Sequence, residues 1–131
     1  MCNMCKTIQV RSLAEIHEAV TLVLEETQQV CGTLQEEESF QIKLILNELL
    51  ANSLAHSHPA YARVLFRMRD NMLECCVLDP GDGFPGAQQA VRQPCPGVFS
   101  ECGRGIFLVK TFADWIRYNR RGNVVLFGYQ L

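Results

Sequence analysis

Two things are scarce in this chain: long apolar runs and an excess of charge of one sign. No apolar stretch approaches the roughly 18 residues that a membrane span requires, and the first residues do not form an apolar signal segment. Formal net charge is only −2, which leaves no general attraction to nucleic acid or to an anionic membrane surface. Neither is expected as a partner, and the cytoplasm is the expected compartment. Repeats, low-complexity tracts and linkers are also missing, so residues 1–131 read as a single domain. A secreted disulfide framework is excluded on other grounds. The seven cysteines are odd in number, and two of them, Cys75 and Cys76, are adjacent in an apolar run. Cys2 and Cys5 are spaced C-x-x-C, and a four-thiolate zinc site could join them to Cys95 and Cys102. The second tight pair that such sites show is absent, and reduced thiols behaving as small apolar residues are the simpler reading.

The composition that is present, 48% hydrophobic and 20% charged, suits a globular domain able to bury about two thirds of its unfolded surface. Alternating Ile8 and Val10 predict a strand over 6–11. Ser12 opens a helix, with Glu15 completing a capping box. Its stripe is Leu13, Ile16, Val20, Val23, Leu24, Thr27 and Cys31, and Gly32 stops it. Thr33 and Glu36 repeat the capping signature for a second helix running to about Ser57, with Pro59 just beyond. Residues 61–69 and 72–78 predict a hairpin closed by Asp70 and Asn71. Residues 80–105 hold most of the Gly and Pro and read as a loop. A short helix over 105–113 and a last hairpin, 115–120 and 123–131 around Arg121-Gly122, complete the chain. The fold class is α+β: a two-layer α/β sandwich with helices on one face of a mainly antiparallel sheet.

Three segments exceed what folding alone requires. Glu48, Asn52 and His56 share one face of the second helix at i, i+4, i+8, opposite Ile42, Ile45, Leu46, Leu49 and Leu50. This is a solvated stripe or a site, and a mid-helix Asn, whose amide competes with the backbone, flags the site. Asp79-Pro80-Gly81-Asp82-Gly83 follows an apolar strand; it is a turn, or a close approach to a flat ligand. Gly103-Arg104-Gly105 enters a helix, where free amides and the dipole favour a phosphate.

In this order and spacing the three segments resemble the Bergerat nucleotide-binding (GHKL) fold shared by gyrase, the heat-shock chaperone ATPase, histidine kinases and the MutL repair protein. The resemblance spans Leu13 to the last strand. Within that superfamily the chain is most similar to the stand-alone anti-sigma factor serine/threonine-protein kinases of bacteria. Small size, Glu48-Leu-Leu-Ala-Asn52-Ser-Leu-Ala-His56, Asp79-x-Gly-x-Gly-Phe84 and Gly103-Arg-Gly-Ile-Phe-Leu-Val109 carry the likeness.

The resemblance implies ATP and Mg²⁺ as cofactors. Asp79 would accept from the adenine amino group, and Gly81 and Gly83 would let the base lie against the turn. Asn52 would ligate Mg²⁺, while Gly103, Arg104 and Gly105 contact the phosphates and residues 84–102 form a lid. Glu48 would be the general base toward a Ser or Thr hydroxyl, or would orient water for hydrolysis. The implied partners are an anti-sigma-antagonist-like protein, a sigma factor and a second copy in a homodimer. Two departures stand out. Ala55 occupies a position where related kinases commonly carry Lys, with Arg104 or Lys110 as possible replacements, and Asn123 stands where a Thr often lies near adenine. His56 and His58 are not expected to bind metal. Competing readings are an ATP-gated protein-binding module without turnover, a detached histidine-kinase catalytic domain, and a thiol-based redox overlay.

Overall fold

A computed structural model describes residues 6–83, 86–92 and 104–131. The elements are β1 (Lys6–Val10), α1 (Leu13–Cys31), α2 (Glu36–Ala55), β2 (Ala62–Arg69), β3 (Met72–Leu78), α3 (Ala87–Arg92), α4 (Arg104–Phe112), β4 (Trp115–Tyr118) and β5 (Val124–Gln130). The strands form one sheet in the order β1-β2-β3-β5-β4, and every pairing among the described residues is antiparallel. The chain therefore leaves β3, passes through α3 and α4 to the edge strand β4, and returns between them as β5. This is the expected α+β sandwich.

Alternation along the strands decides which side faces the helices. Val64, Val77 and Val125 lie in register, as do Phe66, Cys75 and Phe127, and all six are buried. The β2–β3 turn has Asp70 at φ 52° and Asn71 at φ 62°, the left-handed pair that a two-residue hairpin demands and that Asp and Asn tolerate. Helix α1 covers the sheet with Ile16, Ala19, Val20, Val23, Leu24 and Thr27. The buried Thr27 hydroxyl is satisfied by donating to the Val23 carbonyl, 2.7 Å away. Helix α2 is flanked by α1 and α4 over the sheet. Ile42, Ile45, Leu46, Leu49, Leu50, Ser53 and Leu54 are buried along it, so about half of its circumference is core. The Tyr129 hydroxyl of β5 donates to Gln41 Oε1 at 2.6 Å, tying α2 to the sheet.

The structure corrects several sequence expectations. The 72–78 strand has the predicted bounds, whereas β1, α2, β4 and β5 end one or two residues short of theirs, α2 stopping at Ala55. Leu13 and Cys31, expected in the buried stripe of α1, are exposed at its terminal turns. Ser12 does cap α1, accepting from the Glu15 amide at 3.3 Å, but the Glu15 carboxylate reaches the Arg11 amide (2.9 Å). The second helix is not capped by Thr33. Gln35 precedes it, and its amide donates to Glu38 Oε1 at 3.0 Å. The reason is tertiary: Leu34 is buried and its amide donates to Gln28 Oε1 of α1, so the chain must pass through the core before it can turn. The predicted 80–105 loop contains α3, fixed by a bond from Gln88 Nε2 to the Tyr118 carbonyl (3.1 Å) that no local pattern announces.

No helix among the described residues is long and apolar enough to cross a membrane. Replacing Leu46, fully buried, by Ala is expected to cost about 2–5 kcal/mol in chemical denaturation. The same change at Leu13, 71% exposed, should cost under about 0.5 kcal/mol.

Candidate functional site

Helix α2 supplies one wall. With Ile42, Ile45, Leu46, Leu49 and Leu50 committed to the core, the face bearing Glu48 and Asn52 is half-buried, where a carboxylate and an amide sit one turn apart. The helix ends at His56, whose amide donates back to Asn52 O at 3.1 Å. Beyond it, Ser57 is buried and its hydroxyl donates to Pro59 O.

The end of β3 supplies the opposite wall. Asp79 is 5% exposed, and its position is fixed three ways. Its amide donates to Asn123 O (3.0 Å), its carbonyl accepts from Asn123 Nδ2 (3.0 Å), and its Oδ1 accepts from the Gly81 amide (2.8 Å). Asn119 holds Asn123 in turn, through a 2.7 Å bond from its Nδ2 to Asn123 Oδ1. The Asn119 Oδ1 accepts the amides of Gly122, Asn123 and Val124 at 2.8, 3.0 and 3.1 Å. Both ends of the Asn123 amide thus serve the turn itself, so this residue braces Asp79.

The two glycines expected to make room for a base also make room for the chain itself. A Cβ on Gly81 would run into the His56 carbonyl oxygen and come within 3.0 Å of Ser57 Cα; on Gly83, at φ +92°, it would strike the Arg121 carbonyl. Close packing of the Asp79 turn against the end of α2 and the β4–β5 turn therefore requires glycine at both positions. Arg121 Nη2 also donates to Gly81 O at 3.3 Å and lies 3.7 Å from the Asp82 carboxylate, an exposed pair of little energetic weight.

Tyr118 joins the walls. Burial, the dominant influence, pushes the pKa of its hydroxyl up to about 12, with the nearby Asn52 side chain opposing the rise and the Asp79 carboxylate adding to it. The structure thus gathers Asn52, Tyr118 and Asp79 in one place, with Glu48 one turn along α2. Helix α4 packs against α2 through a face that includes the buried Ile106 and Val109. Arg104 and Gly105 form the first turn of α4. Gly103, Phe84, most of the expected lid (84, 85 and 93–102) and Cys2, Cys5, Cys95 and Cys102 lie outside the described residues.

Among the described residues no cluster of three His, Cys, Asp or Glu side chains could hold a metal ion. The Cys31 thiol donates to Thr27 O, and partial burial, with Glu38 nearby, pushes its pKa up, which disfavours the reactive thiolate. Sequence reasoning missed Tyr118 and Asn119. Asn119, three residues before Gly122, carries a turn signal of the Asx type; Tyr118 carries none, since tyrosine is ordinary in a strand.

A family model described as a histidine kinase-like ATPase domain matches residues 10–128. No curated protein matches the chain.

Replacing Asn119 by Ala strands three amides and is expected to lower unfolding free energy by about 1–3 kcal/mol, read by denaturant titration. Because Tyr118 holds its proton more tightly folded than unfolded, its contribution is complete below the unfolded pKa near 10. That contribution should fade as pH rises toward about 12. Tyr118→Phe should flatten this part of the stability–pH curve and remove the highest phenolate step in an absorbance titration.

Proposed function

The chain belongs to the histidine kinase-like ATPase domain family, and from that premise we propose that it is a Mg-ATP-dependent serine/threonine-protein kinase of the anti-sigma factor type. Its substrate would be a small anti-sigma-antagonist-like protein. The chain is an ATP-binding module of the GHKL type. The kinase reading is supported above all by the half-buried Glu48–Asn52 face of α2, which lies beside the stripe that the helix gives to the core.

Each residue then has a task. The Asp79 carboxylate, fixed by its own turn and by Asn123, accepts from the adenine amino group. The carboxylate of Glu48 takes the proton of the incoming Ser or Thr hydroxyl. The amide oxygen of Asn52 is the kind of hard ligand that Mg²⁺ prefers, so this residue fits the ion. Once bound, it supplies neutralisation of phosphate charge during transfer. Gly103, Arg104 and Gly105 would present amides and a guanidinium to the phosphates at the start of α4. A single domain over 1–131, a cytoplasmic location, a homodimer and a sigma factor as second partner belong to the same proposal.

One observation favours a second reading. Ala55 is exposed at the end of α2, where the resembling kinases commonly carry Lys. Without that cation the chain would act as an ATP-gated module that sequesters a sigma factor or other regulator without turnover. Incubation with γ-labelled ATP and an anti-sigma-antagonist protein separates the two. Phosphoserine or phosphothreonine should form, and Glu48→Gln should lower its rate by about 10²–10⁴-fold with ATP affinity retained. ATP binding with no phosphoprotein formed would select the sequestering module.

A further inference from the structure

The side of the sheet turned away from the helices has no part in that mechanism. Helices α1 and α2 cover the side that carries Val64, Val77 and Val125. On the opposite side Leu65, Cys76, Leu78 and Val124 are half-buried, and Leu126 is 42% exposed. Register places Leu65, Cys76, Leu126 and Arg117 in one row across β2, β3, β5 and β4. Beside this row lies a hollow of about 210 Å³, walled by Leu65, Leu126 and Trp115. The indole is seated by Gly128, its partner in the ladder, where any Cβ would strike the ring. A glycine in mid-strand marks such a close approach. The Arg117 guanidinium lies over the indole at 5.7 Å.

Charge is as unevenly spread as apolarity. Of the strand residues on this side four are arginine, Arg63, Arg67, Arg69 and Arg117, and one, Glu74, is acidic. Four arginines against one glutamate give the face +3 in a chain of formal net charge −2, which leaves −5 elsewhere. Glu74 is already paired with Arg67 at 2.9 Å. Among the described residues Arg63, Arg69 and Arg117 have no carboxylate partner. The arginines flank the apolar strip on both sides, from β2 and from β4. Four strands span three gaps of about 4.8 Å, or roughly 14 Å, which accommodates one helix about 10–12 Å across. A second copy presenting the same face would set +3 against +3. A membrane surface calls for apolar side chains that protrude, and here the strip is half-buried apart from Leu126.

We propose that this face is a docking surface for an acidic amphipathic helix of a partner protein. The apolar stripe of that helix lies along β3 and β5 and sets one aliphatic side chain in the hollow beside Trp115. Its carboxylates face Arg63 on one flank and Arg117 on the other. The inference is independent of the nucleotide reading, because the helix that carries Glu48 and Asn52 packs on the other side of the sheet.

Trp115 is the only tryptophan of the chain, so its fluorescence reports occupancy of the hollow. The test titrates the full chain with a synthetic helical peptide whose leucines, at i, i+3, i+4 and i+7, are flanked by glutamates, and with the same peptide carrying lysines instead. The glutamate peptide should shift Trp115 emission to the blue, shield it from acrylamide, and bind less tightly as salt rises. The lysine peptide should do none of these. Arg63→Glu combined with Arg117→Glu should lower the calorimetric affinity for the glutamate peptide by about tenfold or more, with the thermal midpoint nearly unchanged. Absence of binding, equal binding of both peptides, or undiminished affinity in the folded variant would overturn the proposal. Two further results would also overturn it. Sedimentation in which the same variant breaks up a self-associated wild type would give the face to a second copy. A Trp115 blue shift produced by anionic phospholipid vesicles and not by the glutamate peptide would give it to a membrane surface.

Discussion

The clasp between the end of β3 and the β4–β5 turn is the constraint on which the site depends. Asn119 gathers three amides and one side chain, Asn123 carries the hold onward, and Asp79 is gripped at both its amide and its carbonyl. Buried carboxylates are costly unless every lone pair and neighbour is accounted for. Here the backbone around Asp79 is fixed first, and the side chain then closes its own turn onto Gly81. Because Tyr118 directly precedes Asn119, the clasp that fixes Asp79 also fixes the half-buried Tyr118.

Helix α2 answers from the other side. Its core residues leave little freedom for rotation, since Ile42, Ile45, Leu46 and Leu50 are fully buried and small changes in such packing are felt. The direction in which Glu48 and Asn52 point is therefore set by hydrophobic packing. Gly81 lets the Asp79 turn close onto the end of the same helix. Core and site are in this sense one structure: the sheet and α2 could not be repacked without moving Asn52 relative to Asp79.

Much of this was legible in the sequence, unevenly. Period-2 alternation around Asp70-Asn71 and the 3.6-residue stripe of α1 set the main hairpin and first helix, because local pattern and tertiary burial agree there. The start of α2 was misplaced, because burial of Leu34 overrode the capping preference of Thr33. Helix α3 was missed because a six-residue helix has almost no periodicity, and its anchor is a distant carbonyl at Tyr118. In the site, residues with unusual local chemistry, such as Asn52 in mid-helix and Asp79 at a strand end, were visible. Their meeting through Tyr118 was not, because strand residues announce a face and never a partner. Gly81 and Gly83 signal a close approach in the sequence, and the structure shows that each admits a neighbouring stretch of backbone.

The central claim is that the α2 face and the Asp79 turn form one adenine-nucleotide site. Isothermal titration of ATP and GTP into wild type and Asp79→Asn tests it most directly, because Asn keeps an acceptor for the Gly81 amide while losing the carboxylate. The account expects ATP to bind wild type in preference to GTP, and that preference to fall by about tenfold or more in the folded variant, the scale of one charge-assisted hydrogen bond. A folded wild-type protein that binds neither nucleotide, or a variant that keeps the full preference for ATP, would contradict it.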